Sequence, residues 1–152
     1  MKTKFLLFII FPLLFSCSEN HFHQFDKLPE EQRWLSSDIK TYEFDIENEA
    51  QFYNIVFEFS HVYDYQFESI PLNVTIQSPD GKTEQIAIDL KIKDESGKQL
   101  ADCSGDVCDL FYKIKERTKL QKGEYKITVS HSFKGPFLPN VIGVGLAVQN
   151  VK

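Results

Sequence analysis

The chain has 152 residues, 17 Lys and Arg against 22 Asp and Glu, a formal net charge of −5, and 42% hydrophobic residues that include 14 Phe and 6 Tyr. That length suits one domain, able to bury roughly two-thirds of its unfolded surface. The acid excess leaves the chain as a whole without an electrostatic basis for holding nucleic acid or anionic lipid headgroups.

Lys2 and Lys4 precede an apolar run from Phe5 to Phe15, interrupted by Pro12, and Leu14-Phe15-Ser16 leads to Cys17. A basic start, a short apolar run and a small residue at its end follow the order of a secretory signal peptide. The run of about a dozen residues falls short of the roughly 20 that cross a bilayer as a helix. Its ending resembles a bacterial lipobox, where a lipoprotein signal peptidase cuts before the cysteine. That resemblance implies that residues 1–16 are removed and that Cys17 carries acyl chains, palmitate among them. An ordinary signal peptide with a cysteine nearby is the alternative. Losing Lys2 and Lys4 would raise the acid excess from five to seven. Membrane attachment then falls to the acyl chains, at about 0.8 kcal/mol per buried methylene.

Residues 18–40 read as a tether and lead-in. Ser18, Glu19, Asn20, His21 and His23 are polar, and Pro29-Glu30-Glu31-Gln32-Arg33 interrupts any strand. Fully extended, this segment would reach on the order of 75 Å. Phe22, Phe25, Leu28 and Trp34 are apolar, which draws part of it onto the domain.

From Thr41 the apolar residues alternate with polar ones, the period of strands with one buried face. Tyr42, Phe44 and Ile46 make the first such stretch, and Tyr53, Ile55, Phe57 and Phe59 the second. Leu72, Val74 and Ile76 lead into Ser78-Pro79-Asp80-Gly81, a strong turn because proline presets φ and glycine accepts positive φ. Ile86, Ile88, Leu90 and Ile92 follow, then a polar loop around Asp94 to Gly105, then Leu110, Tyr112 and Ile114. Tyr125, Ile127 and Val129 begin after Lys122-Gly123, and Ile142, Val144, Leu146 and Val148 close the series. Gly143, Gly145 and Ala147 line the opposite face of that last stretch and predict close approach of a backbone or a large side chain. About seven strands with no helical pattern predict an all-β, antiparallel β-sandwich, of immunoglobulin-like or jelly-roll topology. The expected organisation is a signal peptide over 1–16, a lipidated N-terminus and tether over 17–40, and the sandwich over 41–152.

The remaining cysteines, Cys103 and Cys108, are a disulfide candidate in an exported chain, with a free or metal-bound pair as the alternative. Motifs for chemistry are absent from the sequence: no G-x-S-x-G, no H-E-x-x-H, no phosphate-binding or dinucleotide glycine pattern. Ser60 and His61 adjoin but would point to opposite faces of a strand. The chain reads as a non-enzyme with no cofactor beyond the covalent lipid. Asp102, Asp106 and Asp109 bracket the cysteines as a weak calcium candidate, against a solvated turn pinned by a disulfide. His21 and His23 supply two metal ligands at most, and a polar tether explains them as well. Tyr63, Tyr65 and Phe67 would share one side of an extended segment, either as a contact patch for a partner or glycan or as core filling.

The order of these features resembles the gliding-motility lipoprotein GldH family of Bacteroidota over essentially the whole chain. The matching pieces are the lipoprotein start, Trp34 and Asp38 before a strand, Phe52-Tyr53-Asn54, and the aromatic turn from His61 to Phe67. Further on they are Pro79-Asp80-Gly81, the loop with Gly97-Lys98, Ser104-Gly105-Asp106 and Asp109, then Lys122-Gly123-Glu124-Tyr125, and Ile142-Gly143-Val144-Gly145-Leu146. The resemblance implies a non-enzymatic envelope lipoprotein of the gliding machinery, which is tied to type IX secretion, held to a membrane by acyl chains and contacting other envelope proteins. Ser18 after Cys17 favours the outer membrane, with the domain facing the periplasm as the expected side and the medium as the other. A carbohydrate-binding sandwich, stacking sugars on Tyr63, Tyr65 and Phe67, is the alternative function.

Overall fold

A computed structural model describes residues 20–151; Cys17 and the expected signal peptide over 1–16 lie outside the described residues. Every expected alternating stretch is a strand, and four further strands join them. The elements are β1 (Asn20–Lys27), β2 (Trp34–Leu35), β3 (Lys40–Ile46), β4 (Phe52–Val62), β5 (Ser69–Gln77) and β6 (Thr83–Lys91), followed by β7 (Asp102–Ser104), β8 (Val107–Lys119), β9 (Gly123–His131), β10 (Phe137–Leu138) and β11 (Val141–Val151). There is no helix among the described residues.

One sheet has the order β1-β11-β4-β8-β7 and the other β3-β9-β5-β6, with all pairings antiparallel. Their inner faces share one core. Tyr53, Ile55, Phe57 and Phe59 of β4 and Val144, Leu146 and Val148 of β11 meet Tyr42 and Phe44 of β3 and Ile127 and Val129 of β9. This is the sandwich that the alternation requires, because either sheet alone would leave its apolar face in water.

The lead-in differs from a tether. Asn20–Lys27 pairs along β11 and forms an edge strand of the larger sheet. Phe22 enters the core against Phe44, with ring centroids 5.3 Å apart. Burying such a ring while satisfying the backbone of β11 outweighs the conformational freedom of a free tether. Further along, Trp34 is fully buried, and its Nε1–H donates to the Asp38 carbonyl at 2.8 Å. The paired β2 and β10 hold it in place.

The turn at residues 78–81 closes as expected. The Gly81 N–H donates to the Ser78 carbonyl at 2.9 Å, and Gly81 has φ +80°. The small-residue face of β11 is filled by a neighbour, also as expected. The Phe25 ring lies over it so closely that a Cβ on Gly143 would come 2.3 Å from its Cζ. On Gly145, a Cβ would come 2.9 Å from the Gln24 carbonyl oxygen.

Candidate interaction surface

Strand direction gives the sandwich two distinct ends. β1 starts, β11 finishes and β4 starts at one end, where Asn20 pairs with Gln149 and Val151 with Phe52. β8 finishes there too, with Lys119 opposite Phe52, and β9 begins with Gly123 opposite Ile46. The loops at this end are 47–51, 78–82 and 120–122. The other end carries the loop 63–68, the segment 92–101 and the hairpin between β7 and β8.

At that second end the aromatic turn is divided between surface and core. β4 stops at Val62, and Asp64 takes a left-handed φ of +52°. The alternation of an extended strand ends there, so Tyr63 is 60% exposed while Tyr65 turns inward and is fully buried. The Tyr65 ring packs 4.9 Å from His61 and 5.6 Å from Phe67, and Phe67 in turn packs against Phe133. The expected one-sided platform of Tyr63, Tyr65 and Phe67 is therefore divided: Tyr65 fills the core, Phe67 is half-buried against Phe133, and Tyr63 is the exposed member. Asp64 is not a residue whose type announces this reversal, since the sequence reads as one alternating run through it.

His61 sits beneath this turn. Its Nδ1–H donates to the Val62 carbonyl at 2.8 Å, because a carbonyl can only accept, and this leaves the buried Nε2 without a partner. Burial holds its pKa below the ordinary histidine value and keeps the ring neutral. Ser60 points to the opposite face of β4 and donates to the Asp109 carboxylate. Serine, histidine and aspartate thus adjoin in the chain or ladder without forming a proton relay.

The hairpin turns at Gly105, with φ +62°, and the structure bridges Cys103 to Cys108 across paired positions. Asp102 faces Asp109 across the ladder, and Asp106 occupies the turn, where its carbonyl accepts from the Tyr63 N–H at 2.9 Å. The three carboxylates do not converge, and no group of three metal-ligating side chains occurs among the described residues. His21 and His23 also separate. A register shift between Asn20 and Phe22 sends the His21 Nε2 to the Asp45 carbonyl and the His23 Nε2 to Glu58, at 2.9 Å.

Two surface features were not legible as sites in the sequence. Exposed apolar side chains gather toward the hairpin end: Tyr63, Leu100 and Val107, with Phe111 further along β8. At the opposite end the ladder between β4 and β8 is irregular, and Arg117 adopts φ +45° within it. Its N–H is held by the Asn54 side chain at 2.7 Å. The Arg117 guanidinium and the Lys119 ammonium both lie over the Phe52 ring, at 5.0 and 5.2 Å. The run of Lys113, Lys115, Arg117 and Lys119 was the available signal, and it reads equally as a solvated strand face.

A model of the family described as GldH lipoprotein matches residues 20–148. Among curated protein sequences, none matches significantly. Two solved structures show distant likeness. The crystal structure of dimeric latent PorU from Porphyromonas gingivalis is 11% identical over 89% of this chain, with a TM-score of 0.35. The structure of infectious bursal disease virus Gx strain is 13% identical over 87% of this chain, with a TM-score of 0.34. The chain spans 13% and 31% of those two chains, and similarity at this level carries no functional information.

Proposed function

The chain belongs to the GldH lipoprotein family and is a non-catalytic envelope lipoprotein linked to gliding motility, and within that role we propose that it presents a protein-binding surface from a membrane anchor. The observation that carries this reading is the family match over nearly all of the folded body. The exposed Tyr63, Leu100 and Val107 support it, because apolar and aromatic side chains grouped at one end are what a partner surface buries first. Acyl chains on Cys17 supply the anchor, the outer membrane is the site, and the periplasm is the side the domain faces. Other envelope proteins of the motility machinery are the partners. The glycan-binding alternative loses its platform with the burial of Tyr65.

The test is a Cys17→Ala strain. The protein should leave the membrane fraction and gliding should stop. Normal gliding with the unacylated protein would refute the anchored role, whatever its abundance.

A further inference from the structure

The strand nearest the proposed lipid decides which way the body points. Asn20 is already in ladder with Gln149, so only three chain steps separate it from Cys17. Three residues span at most about 10 Å however they are arranged. A leash that short cannot let the body tumble: the end where β1 begins must stay at the bilayer surface. β4 runs the full height of the sheet, and its 11 residues at about 3.3 Å each place the opposite end on the order of 35 Å further out.

We propose that the sandwich stands upright on the membrane, seated on the end formed by loops 47–51, 78–82 and 120–122, with Arg117 and Lys119 against lipid phosphates and the disulfide hairpin facing outward. This rests on acylation of Cys17. Three features of the molecule agree with it. Charge is divided between the ends. Loops 63–68 and 92–106 at the far end carry six carboxylates against two lysines, which an anionic surface repels. The loops of the seated end carry Lys82 and Lys122 against Glu47, Glu49 and Asp80, and Arg117 and Lys119 add two cations beside Glu116 and Glu124, a nearly balanced surface suited to zwitterionic headgroups. Second, Arg117 and Lys119 form no ion pair with a carboxylate among the described residues, and Phe52 holds both cations at this end. Third, the apolar residues suited to a protein partner lie at the far end, where the bilayer leaves them accessible. Arg117 and Lys119 contribute modest, salt-screened contacts, and the leash supplies the attachment.

The experiment uses the full-length acylated protein in vesicles of phosphatidylethanolamine and phosphatidylglycerol at three to one. A donor dye goes on Gln121→Cys or on Glu95→Cys, and an acceptor dye on the headgroups. Both positions are exposed, at the seated and far ends respectively. Transfer should be several-fold stronger from position 121 than from position 95. The double variant Arg117→Glu/Lys119→Glu should stay bound while the contrast shrinks. Equal transfer from both positions, or stronger transfer from position 95, overturns the upright seating while leaving the anchor intact. An undiminished contrast in the double variant overturns the role given to the two cations. Acylated protein that fails to hold the vesicles sinks the anchor itself, and the seating with it.

Discussion

Replacing Gly143 with alanine tests how the edge strand β1 is held. Glycine in a strand interior is normally a weakness, and alanine there should stabilise by about 0.5–1 kcal/mol through a less flexible unfolded chain. Here the sign should reverse. A methyl at Gly143 would come within 2.3 Å of the Phe25 Cζ and 2.7 Å of its Cε1, far inside contact distance. The ring must move off β11. Phe25 is 37% exposed, so full expulsion would return to water about 125 Å² of a side chain of roughly 200 Å², or about 3 kcal/mol. A partial shift costs about 1–3 kcal/mol, as overpacking does elsewhere. Urea unfolding of the single and double variants closes the cycle. Gly143→Ala alone should lose about 1–3 kcal/mol, and a Phe25→Ala background should recover most but not all of that loss, because the Asp26 carbonyl oxygen remains 3.0 Å from the new methyl. Gly145→Ala should be rescued less by Phe25→Ala, because there the ring is only 3.0 Å from the new methyl, while the Gln24 carbonyl at 2.9 Å and the Glu58 carboxylate at 3.2 Å remain. Gly143→Ala with unchanged or raised stability would refute the claim that Phe25 is packed on the glycines.

Acid should destabilise the fold through its two buried histidines. His61 and His131 both have pKa values lowered by burial, and His131 spends its Nε2–H on the Trp34 carbonyl. Their unfolded values lie near 6.5. Below about pH 6.5 the unfolded chain takes up protons that the folded chain refuses, so stability falls by up to about 1.4 kcal/mol per pH unit for each histidine until its folded pKa is reached. Urea midpoints should be flat from pH 8 to 7 and decline from pH 6.5 to 5, with His61→Asn flattening the decline; a curve rising toward acid would contradict the neutral buried rings. Removing the bridge with Cys103→Ser/Cys108→Ala should cost only about 2 kcal/mol, because the loop it closes is short. Limited proteolysis should then nick the hairpin segment first, and a collapse of the whole fold would show that the bridge organises more than its own loop.

Legibility of the candidate surface was uneven, and particular residues show why. The glycines of β11 announced a close neighbour, because an absent Cβ on a strand face is meaningful in any fold. That the neighbour is Phe25 could not be read, since β1 and β11 lie at opposite ends of the chain. Tyr63 and Tyr65 look equivalent in the sequence, yet the left-handed Asp64 puts one in water and the other in the core. Aspartate tolerates that conformation without requiring it. Arg117 is a sharper case: no residue preference predicts a left-handed arginine, and only the mismatch between β4 and β8 creates it.

What the sequence determined by itself was local and periodic: seven alternating strands, the turn at Pro79-Asp80-Gly81, and a family pattern carried in order along the chain. A period of two says which side chains share a face, because it is set within each strand by the backbone. It says nothing about which strand lies alongside. Only the folded body decided that β11 runs between β1 and β4, that β9 runs between β3 and β5, and that the supposed tether is an edge strand. Those choices depend on ring packing and ladder register between residues from about 50 to about 130 positions apart, where no local preference reaches. The three chain steps from Cys17 to the first ladder pair, on which the proposed seating rests, follow from them.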